Sequence, residues 1–162
     1  MTTSSTATTD LSDDHPSEVQ YCTPIFHDYG GVIAFSGPIA TLKLFEDNVM
    51  VRAAVETPGE GRVLVVDGGA SMNCALFGGN LAALAAENGW AGIVINGCIR
   101  DRGELAAASV GVKALAAHPK RSAREGKGEA DVTVRFAGVT FTPGAWLYAD
   151  SDGIILANMK LA

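Results

Sequence analysis

Two stretches of the chain run apolar without alternation. They are Arg62–Asp67 (RVLVVD) and Ala91–Asn96 (AGIVIN). A short continuous apolar run predicts a strand covered on both faces, as in a parallel sheet. Between them the period changes. Asn80 is placed to cap a helix, Leu81, Leu84 and Ala85 fall on one helical face, and Gly89 stops it. Strand, loop, helix, strand is a β-α-β unit, the predicted centre of the fold.

The flanks are read in the same way. Asp10 caps a short helix through about His15, and Asp28-Tyr29-Gly30-Gly31 is a turn. Val32–Leu44 reads as two strands broken near Gly37-Pro38. Asp47 caps a helix over Asn48–Glu56, with Val51, Ala54 and Val55 inward. A short helix over Arg102–Ala108 and a strand over Val112–Ala117 follow. His118–Gly128 is a polar, basic loop. The remainder alternates as strands over Val132–Phe136, Val139–Phe141, Trp146–Ala149 and Gly153–Ala157. Met1–Thr9 is a low-complexity tail expected to be disordered, leaving one domain over residues 10–162.

Composition narrows the function. The chain has 162 residues, 48% of them apolar, which excludes a disordered protein. Twelve Lys and Arg against 18 Asp and Glu give a net charge of −6. That disfavours nucleic acid and membrane surfaces as partners, because both attract a basic field. No run approaches the ~20 apolar residues of a membrane span. Cys22, Cys74 and Cys98 are odd in number and form no CxxC pair, so reduced thiols in a cytoplasmic protein are expected.

Open α/β sheets bind ligands at the carboxyl ends of their parallel strands. The first predicted strand ends in Asp67-Gly68-Gly69, the second in Gly97 through Arg100 and Asp101. Gly78-Gly79-Asn80-Leu81 opens the intervening helix, whose free N–H groups favour an anion. A guanidinium such as that of Arg100 grips a carboxylate bidentately. Asp101 suits a divalent metal, since Mg²⁺ takes only one or two protein carboxylates. Together they fit a small 2-oxo acid, its carboxylate on Arg100. Gly68-Gly69 reads equally as an anion nest or a tight turn. Ser71 lacks a G-x-S-x-G context, and His15, His27 and His118 lack ligand spacing. Cys98 reads as an apolar filler, and no Lys stands out as a Schiff-base former. His118-Pro119-Lys120-Arg121 reads either as a solvated loop or as a steering patch for an anionic substrate.

Five segments carry a resemblance to a known family: GGVIAFSGPIATLKLFEDN, TPGEGRVLVVDGGAS, ALFGGNLAALAAENGWAGIVINGCIRD, VKALAAHPKRS and VRFAGVTFTPGAWLYADSDGIIL. They resemble the family named for regulator of ribonuclease activity A, over Asp10–Leu156. The resemblance implies a swivelling-domain-like α/β/α layered domain with a central mixed sheet. It also implies a homotrimer with sites near subunit boundaries. Family members include class II aldolases that cleave 4-hydroxy-4-methyl-2-oxoglutarate to pyruvate and decarboxylate oxaloacetate with Mg²⁺ or Mn²⁺. The implied catalytic residues are Arg100 and Asp101, with Asp101 serving the metal. The implied substrate contacts are Gly78, Gly79, Asn80, Leu81 and Arg100. Glu104 matches the acid the family pattern places three residues after the Asp. Gly79 departs from the pattern, which has Asp there; Asn80 and Asp67 are the nearest substitutes. The alternative implied function is a protein inhibitor of ribonuclease E-type enzymes. Parts of the family bear a menaquinone methyltransferase label, but no methyl-donor site is visible in this sequence.

Overall fold

The structure is a computed structural model that describes residues 5–162. Met1–Ser4 of the expected tail lie outside the described residues. Thr8 and Thr9 do not belong to a tail: helix α1 spans Thr8–Asp14. It starts two residues before Asp10 because Thr8 donates its N–H and its hydroxyl to the Asp150 carboxylate, at 2.8 and 2.7 Å.

A mixed sheet forms the body. Its strands in chain order are β1 (Val19–Tyr21), β2 (His27–Asp28), β3 (Phe35–Lys43), β4 (Val63–Asp67), β5 (Ala75–Phe77), β6 (Gly92–Ile99), β7 (Gly111–Ala117), β8 (Glu129–Ala130), β11 (Trp146–Asp150) and β12 (Gly153–Ala157). The order across the sheet is β1-β12-β11-β3-β4-β6-β7-β2, with β5 pairing β6 and β8 pairing β3. The run β3-β4-β6-β7 is parallel, with Ile39 opposite Val63, Val63 opposite Gly92 and Gly92 opposite Gly111. The edges beyond it are antiparallel. The two apolar runs are the central strands β4 and β6, buried along almost their whole length.

Residues 35–43 form one strand where two were expected. Phe35–Pro38 pairs with β11, and Ile39–Lys43 pairs with β4. The strand changes partner at Gly37-Pro38 and does not stop there. Gly37 permits this because a Cβ would lie 2.0 Å from the Gly61 carbonyl oxygen. Strand β6 runs three residues past its expected end. The short β5 pairs with Cys98 and Ile99, and a register shift against β7 absorbs Gly97.

Two large apolar clusters flank the sheet, and a third, small one seats Leu11 of α1 on Tyr148 and Ile155. Of the large ones, one takes Val51 and Val55 from α2 (Val49–Val55), Leu81, Ala82 and Ala85 from α3 (Gly79–Glu87), and Leu105 from α4 (Arg102–Ala107). The other holds no helical residue. The hairpin of β9 (Val134–Phe136) and β10 (Val139–Phe141) covers it, with the rings of Phe136 and Phe141 stacked at 4.3 Å. The fold is therefore the expected single-domain α/β fold with a mixed sheet, and its second cover is β-structure where an α/β/α layering places helices. No helix among the described residues is long and apolar enough to cross a membrane.

Candidate active site

The loop after β6 and the start of α3 meet at one cavity of about 300 Å³. Gly78, Asn80, Leu81, Arg100 and Asp101 line it together, as their positions after the central strands predict. Asp101 holds a left-handed backbone (φ 61°, ψ 50°), a conformation that Asp tolerates better than most residues. Its Oδ2 accepts the Gly79 N–H at 3.0 Å. That bond replaces the expected side-chain cap: α3 starts at Gly79 behind Gly78, with no side-chain cap bond, and Asn80 faces the cavity. The N–H groups of Asn80 and Leu81 find no protein acceptor among the described residues. They remain available to a ligand anion at the positive end of the helix dipole.

Gly79 itself is buried and does not line the cavity. The space a side chain would occupy there is taken by Glu104. A Cβ on Gly79 would lie 1.8 Å from Glu104 Oε2. Glu104 places its carboxylate where a side chain on residue 79 would stand. Asp67 is not part of the cavity. It accepts from the Gly69 N–H at 3.0 Å and the Asn96 side chain at 3.1 Å, so it fixes the turn after β4. Cys98 is buried, and burial pushes its thiol pKa up, as an apolar filler requires.

Arg100 and Asp101 form no ion pair. Among the described residues, Arg100, Arg121 and Arg124 have no carboxylate within 4.0 Å. Arg100 donates instead to the Pro119 carbonyl at 3.3 Å. A fourth arginine, Arg52, also lines the cavity and pairs with Glu56 at 2.8 Å. Four guanidinium groups around one lining carboxylate make a positive cavity in a chain of net charge −6.

Sequence reasoning singled out neither Arg52 nor Arg124, nor what holds the basic loop. Asp47, 3% exposed, does that work. Its Oδ1 accepts the Val49 N–H at 3.1 Å, and its Oδ2 accepts those of Glu125 and Gly126 at 2.8 and 2.9 Å and of Lys127 at 3.3 Å. Burial opposes its ionisation, but these four N–H groups outweigh that and hold its pKa below the ordinary carboxylate value. The Ala75 N–H donates to the Lys120 carbonyl and the Ala123 N–H to the Glu46 carbonyl, at 2.8 and 2.9 Å. The loop is thus fastened at both ends. The only advance signal was its run of basic residues.

The RraA-like family model, described as Aldolase/RraA, matches residues 8–156. The chain belongs to the RraA-like family. An RraA-like protein of Alkalilimnicola ehrlichii is 59% identical over 97% of this chain and 98% of its own length. One of Burkholderia multivorans is 55% identical over 96% of this chain and 98% of its own. Both carry the provisional name 4-hydroxy-4-methyl-2-oxoglutarate aldolase. Among solved structures, the RNA-processing inhibitor RraA of Thermus thermophilus superposes with a TM-score of 0.93 at 47% identity, covering 100% of this chain and 96% of its own. A Geobacillus kaustophilus protein titled a 2-dimethylmenaquinone methyltransferase also gives 0.93, at 51% identity and 95% and 96% coverage. The resemblance read from the five segments is therefore borne out, as is the mixed α/β domain it implied.

The donor set of this RraA-like chain fits only a hydrated metal ion. Among the described residues no group of three or more His, Cys, Asp or Glu side chains converges. Asp101 is exposed to solvent at the cavity, which suits an ion that takes one or two carboxylates and keeps its waters.

Proposed function

We propose that this chain is a lyase that cleaves 4-hydroxy-4-methyl-2-oxoglutarate to two molecules of pyruvate. Oxaloacetate decarboxylation follows from the same pyruvate enolate. The observation that carries the reading is the unpaired Arg100 guanidinium beside the free N–H groups of Asn80 and Leu81, all on one cavity. This donor set matches the carboxylate of a 2-oxo acid. The names of the relatives at 55 and 59% identity support the same substrate.

Arg100 binds the substrate carboxylate as a fork and fixes its plane. The start of α3 adds N–H donors without side-chain entropy, because the Gly79 bond to Asp101 has already set the helix end. Asp101 is the carboxylate that would hold a Mg²⁺ or Mn²⁺ ion at the cavity, and Glu104 packs behind it against Gly79. Such an ion, when bound, supplies Lewis-acid stabilisation of negative charge on the 2-oxo oxygen. In the cleavage the C4 hydroxyl gives up its proton and becomes the carbonyl of one pyruvate. The C3–C4 electron pair leaves with the other pyruvate as its enolate, which then takes a proton at C3. A homotrimeric, cytoplasmic enzyme with sites near subunit boundaries completes the proposal.

The test is pyruvate release from 4-hydroxy-4-methyl-2-oxoglutarate and from oxaloacetate, with Mg²⁺, with Mn²⁺ and with chelator. Arg100→Ala is expected to abolish substrate binding, and Asp101→Ala to abolish the metal dependence. Release no faster than free metal gives overturns the lyase reading. A second reading rests on the likeness to the Thermus inhibitor: an acidic surface that docks on a ribonuclease E-type enzyme. It predicts salt-sensitive binding that is indifferent to Arg100→Ala.

A further inference from the structure

We propose that Arg121 and Arg124 form a second anion subsite in the same cavity, which selects 2-oxo dicarboxylic acids over monocarboxylic ones. The inference rests on the lyase reading in one respect: the 2-oxo acid end of the ligand lies on Arg100.

Arg100, Arg121 and Arg124 line one cavity and have no carboxylate within 4.0 Å among the described residues, whereas Arg52 has Glu56. Three such guanidinium groups beside one lining carboxylate, Asp101, repel one another, and a bound anion relieves that repulsion. One carboxylate satisfies one guanidinium fork. Arg100, helped by the Asn80 and Leu81 N–H groups, accounts for the first carboxylate. Arg121 and Arg124 then remain for another.

The loop that carries Arg121 and Arg124 is rigid. A surface loop of basic residues ordinarily samples many conformations and binds weakly. This one is fastened on each side of its arginines. On one side the Lys120 carbonyl is held by the Ala75 N–H. On the other, Ala123 bonds to Glu46, and Glu125, Gly126 and Lys127 converge on buried Asp47. The backbone that carries Arg121 and Arg124 is thereby set beside the cavity before a ligand arrives. A volume of about 300 Å³ matches a five- or six-carbon diacid at the small end of ligand sites.

Equilibrium binding of 2-oxoglutarate and of pyruvate in Mg²⁺ buffer, followed by titration calorimetry, tests the subsite. These two probes share the 2-oxo acid end and differ in the distal carboxylate. The intact protein is expected to bind 2-oxoglutarate at least about tenfold more tightly, the scale of one charge-assisted hydrogen-bonded pair. Arg121→Gln and Arg124→Gln are expected to erase most of that preference, and Arg100→Gln to weaken both probes. In turnover of 4-hydroxy-4-methyl-2-oxoglutarate, the loop variants are expected to raise KM more than they lower kcat. Both side chains are exposed, so an unchanged thermal midpoint confirms the fold, and Arg121→Lys with Arg124→Lys should restore part of the preference. Equal affinity of the intact protein for the two probes overturns the subsite, as does a preference that survives in the double Gln variant. Failure of the lyase reading is separable. Absent pyruvate release with an Arg121- and Arg124-dependent preference leaves the subsite standing. Normal release without that preference leaves only the lyase.

Discussion

Gly79 and Glu104 offer a measurable test of how the site is packed. A Cβ at Gly79 would stand 1.8 Å from Oε2, 2.6 Å from Cδ and 2.8 Å from Cβ of Glu104. The carboxylate end can swing aside, but the Glu104 Cβ moves only with the backbone of α4. Gly79→Ala therefore forces a helix shift, which costs about 1–3 kcal/mol for an overpacked site. The gain in helix propensity offsets less than about 1 kcal/mol of this. The net loss of about 1–2 kcal/mol lowers the thermal midpoint by about 2–8 °C in a domain of this size. A double-mutant cycle isolates the contact. Glu104→Ala should recover part of the loss, and Glu104→Gly, which also removes the Cβ, nearly all of it. The assay is chemical denaturation of the four corner proteins of each cycle. A Gly79→Ala protein as stable as the parent, or a coupling energy near zero, refutes the packing argument.

Two further outcomes follow from buried charges. Asp47→Asn should cost about 1–3 kcal/mol, since one charged acceptor serves four backbone N–H groups. The amides of Glu125–Lys127 should lose hydrogen-exchange protection in parallel; protection at the parent level contradicts the clamp. The pKa of Asp47 lies below the ordinary value when folded, so its contribution is present above that value and is lost as pH falls through it toward the folded one. The parent should therefore lose stability steeply below about pH 4, and Asp47→Asn should flatten that part of the profile. Lys113, its side chain 4% exposed, binds Asp28 at 3.0 Å and the Asp150 carbonyl at 2.8 Å. Lys113→Met should cost about 2–4 kcal/mol by leaving Asp28 without its cation, and adding Asp28→Asn should return part of that. Denaturation midpoints that do not move would show the pair to be energetically idle.

The central β-α-β unit was legible because it is local. Val63–Val66 and Ile93–Ile95 are apolar on both faces, and the helix between them carries its own period and its own stop at Gly89, which takes φ +80°. What escaped was set by tertiary partners. Ala75–Phe77 is three residues long, too short for a period, and is a strand only because Cys98 and Ile99 lie beside it. Glu129–Ala130 is exposed and only two residues long, and pairs only because β3 presents Leu42 and Lys43. The helix over Gly79–Glu87 lacks a local cap because Asp101 comes from across β6 to take the Gly79 N–H. The site divides along the same line. Arg100 and Asp101 are neighbours in sequence and at a strand end, so they were visible. Arg52 on α2 and Arg124 on the basic loop join them only through the fold.

That late gathering of arginines bears on the choice between the two functions. Docking on a basic partner calls for the chain's excess acidic charge, spread over its surface. The cavity has the opposite sign, with four arginines around one lining carboxylate. A surface selected for a basic partner gains nothing from fastening a positive loop beside a helix start, and Asp47, Glu46 and Ala75 all act to fasten it. A small polyanionic substrate gains directly. Neutralising Arg121 and Arg124 should therefore impair carboxylate binding and leave docking on a basic partner unchanged or tighter. An acidic surface that loses its partner on the same substitutions would show that the two functions share one face.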